Sequence, residues 1–189
     1  MRKIFKLILA IFAIIIIAVV AFGAIVFLDV AGYMATGSQT LTPTGTSFGK
    51  AIVIYDPGLS GTAKGVADKV AIDLQAKGYT VTLAGVKSSV ATNTKGYDII
   101  VIGGPVYAGG LASSAKAAVE SLVLNHEQGA KIGVFGSGSG ATSPEDIAQI
   151  RQSIPERSDE TLQNIITVKI GSGEDLNARA QDFVNQLVS

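Results

Sequence analysis

The run Asp56-Pro57-Gly58-Leu59-Ser60-Gly61-Thr62 follows the apolar stretch Lys50–Tyr55 and precedes apolar residues spaced for a helix, Val66, Val70 and Leu74. A strand, a glycine-rich turn and a helix in that order can hold a phosphate, because backbone amides and hydroxyls then face an anion at the positive end of the helix. Here Gly58, Leu59, Ser60, Gly61 and Thr62 offer amides, Ser60 and Thr62 add hydroxyls, and Lys64 adds a positive charge in the first turn. Two residues pull the other way. Pro57 has no amide hydrogen, and Asp56 would repel a phosphate dianion unless its carboxylate is turned aside. The competing reading is a turn whose glycines only reverse the chain.

Two more glycine-rich stretches follow apolar runs: Gly104-Pro105-Val106-Tyr107-Ala108-Gly109-Gly110, and Gly136-Ser137-Gly138 continuing to Ser143. Tyr107 is the one aromatic in the three, and with no tryptophan in the chain any stacking on a planar ligand rests on it. The chain has no cysteine, which excludes thiol catalysis, thiolate metal ligation and disulfides. The single histidine, His126, falls after a helix and away from these stretches, where a surface role suits it. The acid pairs Glu145–Asp146 and Glu174–Asp175 open helices and suit the helix dipole. The sequence therefore offers no catalytic residue and no metal site.

The elements that must position these residues alternate in type. Strands read as Lys50–Tyr55, Tyr79–Ala84, Tyr97–Gly103, Lys131–Ser137 and Ile165–Gly171. The first, third and fourth are nearly continuous in apolar residues, as strands buried on both faces are, while Thr and Lys in the second and fifth suit sheet edges. Helices are expected from Thr62 to Gly78, from Ser113 or Ser114, after a Ser143 cap with Pro144 at the first position, and through Leu176, Ala180, Phe183, Val184 and Leu187. The polar stretch 85–96 has no helical period. Right-handed crossovers make this an α/β fold with a five-stranded parallel doubly wound sheet, whose ligands sit beyond the carboxyl ends of the strands where the order reverses.

With strand order 2-1-3-4-5 the three glycine-rich stretches share that edge, and there the chain resembles the flavodoxin-like family of FMN proteins. The resemblance covers Lys50 to Leu187. Its most specific part is Asp98–Gly110, which looks like the family's second flavin loop; Lys131–Gly140 is similar to the third. Gly58–Thr62 matches the first loop less closely: the family pattern Ser/Thr-x-Thr-Gly-x-Thr finds Pro57, Leu59 and Ser60 where a hydroxyl, a second hydroxyl and a glycine are usual. The resemblance implies FMN as cofactor, its phosphate on Gly58–Thr62 and its ring between Gly104–Gly109, with Tyr107 in contact, and Gly136–Gly138.

Residues 7–28 are 22 residues without a charge, enough at about 1.5 Å per residue to cross a hydrocarbon layer of about 30 Å. A signal peptide usually has a shorter apolar region. The expectation is a transmembrane helix at 7–28 lodged in a lipid bilayer, a flexible tether at 29–49 and a domain at 50–189. Arg2, Lys3 and Lys6 precede the span, and Lys50 is the first basic residue after it, so the N-terminus is expected in the cytoplasm and the domain outside it. Three of the 15 basic residues lie ahead of the span, leaving 12 against 15 acidic and a net of −3 in the remainder. Nucleic acid is an unsuitable partner for that balance. Two functions follow: a membrane-anchored FMN electron carrier or oxidoreductase served by a redox protein or quinone, or a flavodoxin-like interaction module that has lost flavin. The missing tryptophan, Asp56 and Pro57 favour the second.

Overall fold

The structure is a computed structural model and describes Leu9 and residues 11–23, 35–125, 129–154 and 164–189. The chain forms two units, Met1–Tyr33 and Met34–Ser189. In the first, Leu9 and residues 11–23 are helical, with large apolar side chains such as Ile14, Ile17 and Phe22 exposed. Among the described residues no helix is long and apolar enough to cross a membrane. The remainder of the expected span 7–28 lies outside them, as does His126.

The second unit is built on seven strands rather than five: β1 Ser38–Leu41, β2 Gly49–Tyr55, β3 Tyr79–Gly85, β4 Ile99–Tyr107, β5 Gly110–Leu111, β6 Lys131–Gly138 and β7 Ile166–Gly171. The order is β1-β3-β2-β4-β6-β7, with β5 paired to β4. Strands β3, β2, β4, β6 and β7 are mutually parallel, in the order 2-1-3-4-5 expected for five strands. The two additions are antiparallel. β1 comes from the stretch expected to be tether and pairs Ser38 with Ala84 and Leu41 with Val81. The second expected strand is therefore covered instead of lying at the edge. Its polar neighbours Ser38, Gln39 and Thr40 conceal the strand from a search for apolar runs.

Among the described residues four helices cover the sheet: α1 Thr62–Ala76, α2 Ser113–Asn125, α3 Pro144–Gln152 and α4 Leu176–Val188. One apolar layer joins Ala51, Val53, Ile99 and Val101 of the sheet to Val66, Val70 and Leu74 of α1 and Phe183, Val184 and Leu187 of α4. The other joins Ile52, Ile54, Ile100 and Ile102 to Val119 of α2 and Ile150 of α3. Alternate residues of one strand thus serve opposite layers, which is why the central strands read as unbroken apolar runs. Past the end of α1 and its cap Lys77, Gly78 turns the chain with a φ of 92° that suits a residue without Cβ. α3 starts as the sequence indicates: Ser143 accepts from the Asp146 amide, the Asp146 side chain accepts from the Ser143 amide, and Pro144 follows the cap. The stretch 85–96 contains only a short 3-10 turn, Ser89–Thr92.

Candidate functional site

β2 delivers the chain to Asp56, whose amide donates to the Gly103 carbonyl at 2.9 Å, fastening the turn to β4. The Asp56 side chain is buried and faces α2. Its Oδ1 accepts the Gly58 amide at 3.0 Å, and its Oδ2 accepts the hydroxyl of Ser114 in the first turn of α2. The carboxylate is thus turned aside to a hydroxyl and an amide of its own chain, and that amide is one expected to hold an anion. Gly58 itself sits at φ 63°, and a Cβ there would come 2.9 Å from Pro105 Cγ and 3.4 Å from Tyr107 Oη. The first and second stretches are therefore in contact.

The start of α1 is organised differently. Its cap, Gly61 at φ 70°, has no side chain to satisfy the first turn. The Ser60 hydroxyl lies 2.9 Å from that of Thr62 and takes the Thr62 amide at 3.3 Å. The next bond is Gly65 N–H to Gly61 carbonyl, so the amides of Ala63 and Lys64 come before it at the positive end of the helix. Leu59 is exposed at the tip of the turn. Lys64, the charge the sequence places in the first turn, is paired along its own helix: its ammonium bonds Asp68 at 2.7 Å and lies 5.9 Å from the Tyr55 ring. Its pKa is raised, first by the hydrogen bond to Asp68 and against a smaller lowering by burial.

The second and third stretches are loops for only part of their length. Gly104 and Pro105 continue β4 opposite Gly136 and Ser137 of β6, so these strands stay paired beside the expected crevice, which lies between β2 and β4, whose pairing ends at Tyr55 and Gly103. The small residues there serve packing. A Cβ on Gly136 would meet Val106 Cγ2 at 2.5 Å and Ile150 Cδ1 at 2.6 Å; one on Gly104 would lie 3.0 Å from Ala115 Cβ and 3.1 Å from Asp56 Cβ. Val106 opposes Leu111 and Tyr107 opposes Gly110, leaving Ala108 and Gly109 as a two-residue hairpin turn with φ of 48° and 87°. Both positive angles match the twist of a tight hairpin. Gly109 packs on the Gln149 side chain of α3. Tyr107, half-buried, stands at the base of this hairpin beside the first turn.

Beyond β6 the true third loop, Ser139 to Ser143, is bound to β7. Lys169 is 5 % exposed, so it does not face solvent as an edge lysine would. Its ammonium bonds Asp146 at 2.8 Å and the Ser139 carbonyl at 3.3 Å. The Thr142 hydroxyl lies 2.8 Å from the Lys169 carbonyl and 2.7 Å from Glu174 Oε2, which also accepts the Gly171 amide at 2.7 Å. Arg179 approaches Glu174 at 3.4 Å. The Asp146 pKa is lowered by Lys169 foremost and then by the Ser143 amide. Burial pushes Glu174 up, but the Gly171 amide, Thr142 and Arg179 together leave it below its ordinary value. Sequence reasoning missed Ser114, Gln149 and Lys169, because each acquires its partner from a segment distant in the chain. Among the described residues no cluster of acids or histidine could hold a metal.

No family model matches the chain, and no curated protein matches it. Solved structures do. Oxidised Flavodoxin 2 from Bacillus cereus matches with a TM-score of 0.56 at 23 % identity, covering 74 % of this chain and 97 % of its own. The fold is flavodoxin-like. A Streptococcus pneumonia TIGR4 flavodoxin gives 0.56 at 20 % identity with the same coverage, and a flavodoxin from the domain Archaea gives 0.51 at 20 %, covering 74 % of this chain and 99 % of its own. Set on this flavodoxin-like fold, the phosphate half of FMN fits the residues present: an uncapped helix start with two hydroxyls beside it and a neighbouring carboxylate directed elsewhere. For the ring, Tyr107 is the one aromatic residue of the three glycine-rich stretches, and it stands beside the first turn.

Proposed function

We propose that the domain binds FMN and carries electrons, with the phosphate on the start of α1 and the ring beside Tyr107. The observation that carries this reading is an asymmetry between two helix starts along one sheet edge. The first turn of α2 receives an internal anion, Asp56, through Ser114, whereas α1 is capped by a bare glycine. FMN supplies the one- and two-electron chemistry when bound. The chain's own task is to bind and orient it, through the Ser60 and Thr62 hydroxyls, the first-turn amides of α1 and the Tyr107 face. The apolar run 7–28 would hold the protein in a lipid bilayer with the domain outside the cytoplasm, and a redox protein or a quinone would exchange electrons with it.

A second reading has its own support. The Gly58 amide is taken by Asp56, and Pro57 has no amide hydrogen to offer, as suits an interaction module without flavin. The test is titration of the full chain in detergent with FMN and with riboflavin, which lacks the phosphate. FMN is expected to bind more tightly. Thr62→Val should weaken FMN by about ten- to a hundredfold, corresponding to about 1.5–3 kcal/mol for a hydrogen bond to a charged group, and leave riboflavin unchanged. Binding of neither flavin at millimolar concentration would hand the function to the second reading.

A further inference from the structure

We propose that Lys169 and Glu174 are positioning residues that hold two walls of the candidate site, the third loop and the Tyr107 hairpin, in one preformed arrangement. This rests on the reading of that site as a flavin site, but its evidence lies in a different part of the molecule.

Four of the five residues of the third loop are fastened to β7, α3 or the turn that leads to α4. The Ser139 carbonyl accepts from the Lys169 ammonium. Gly140 lies with its carbonyl against Gly171, close enough that no Cβ would fit at that position. Thr142 is held between the Lys169 carbonyl and Glu174. Ser143 donates its amide to Asp146, whose same oxygen receives the Lys169 ammonium. Glu174 is in turn fixed by the Gly171 amide and approached by Arg179. Lys169 pairs with Asp146 and Arg179 with Glu174, two cations with two carboxylates, so the group is internally neutral.

The second wall depends on the same ion pair. Asp146 opens α3, and one turn later Gln149 of that helix backs Gly109, while Ile150 packs beneath Gly136 and Ser153 faces Gly110. Moving the start of α3 would therefore shift the support of the hairpin that bears Tyr107. A lysine in a buried strand position is costly to keep unless its charge is matched, and here the match is made with the loop and the helix rather than with solvent. The arrangement determines where the loop stands before any ligand arrives, which is the state from which binding loses least conformational freedom.

The experiment compares the full chain in detergent with Lys169→Met, which keeps the stem and removes the charge, and Thr142→Val, which removes only the hydroxyl. Amide hydrogen exchange without ligand is read by segment, and FMN and riboflavin affinities are read in parallel. Lys169→Met is expected to speed exchange in 139–149 and 106–111 by at least about tenfold, with the amides of β2 and β3 unchanged. Thr142→Val should do the same for 139–143 alone. Both flavins should weaken by the same factor in Lys169→Met, because they share the ring and differ in the phosphate; that pattern is the reverse of Thr62→Val. Acceleration spread evenly over the whole sheet, or none in either segment, overturns the proposal, as does a loosened loop with unchanged riboflavin affinity. If the wild type binds neither flavin, the functional reading fails, and segmental exchange alone decides whether the clamp exists: local acceleration supports it and uniform acceleration overturns it.

Discussion

At the scale of single residues, Asp56 shows how a carboxylate beside the proposed anion site can be directed away from it. Its carboxylate is satisfied by Gly58 and Ser114 on the α2 side of the turn. Ser114→Ala should destabilise the domain by about 1–3 kcal/mol, the cost of leaving a buried polar group unpaired, and a denaturant midpoint would measure it. Asp56→Asn keeps an acceptor for Gly58, so FMN affinity should change by less than about tenfold; a larger rise would mean that the carboxylate opposes the phosphate after all. A second residue-scale expectation concerns acid. Both Asp146 and Glu174 are lowered in the folded protein, so the stability they contribute is fully present above their ordinary values of 3.8 and 4.5 and is lost as pH falls through the depressed ones. Thermal unfolding should thus depend little on these groups from pH 6 to 8 and fall steeply only in more acidic solution. Glu174→Gln should flatten that acid limb, and an unchanged acid limb would exclude Glu174 from the effect.

At the scale of elements, β1 is the part of the fold least visible in the sequence and the most open to test. Its hydrogen bonds continue upstream: the Gly85 amide donates to the Gly37 carbonyl and the Lys87 amide to Ala35, both at 2.9 Å. A chain that begins at Phe48 lacks all of this and leaves β3 as a bare edge, whereas one that begins at Ala35 keeps it. The shorter chain should unfold at lower denaturant and associate at concentrations where the longer one is monomeric, as light scattering would show; equal behaviour would make β1 dispensable. The five parallel strands and four helices were legible because burial on both faces leaves long apolar runs and because Ser143, Pro144 and Gly78 mark helix ends. β1 was not, since a four-residue strand exposed on most of its length needs no apolar pattern. The same limit applied at the site. Gly104 and Gly136 stood out as parts of glycine-rich stretches, but sequence could not tell whether a ligand or the side chains of Ala115, Val106 and Ile150 required their small size. Lys169 read as an edge lysine because its partners, Asp146 and Ser139, lie more than twenty residues away.

At the scale of the whole molecule, the charges around the apolar run give a topology that protease can examine in intact cells. Arg2, Lys3 and Lys6 should remain inside while added protease removes the domain; complete protection until lysis would reverse the proposed orientation and favour a cytoplasmic electron donor for the proposed function. The sheet has a further consequence for a protein we propose to be surface-bound. Confinement to a plane raises the rate at which identical molecules meet side by side, and an unpaired strand is the part most ready to join its copy. In this chain the segment leading into the domain itself occupies one side of the sheet, placing Ser38, Gln39 and Thr40 outermost in front of Val81 and Leu83. The stretch proposed to tether the domain is thus also a hydrophilic selvedge, finishing the woven sheet where it would otherwise fray into its neighbours.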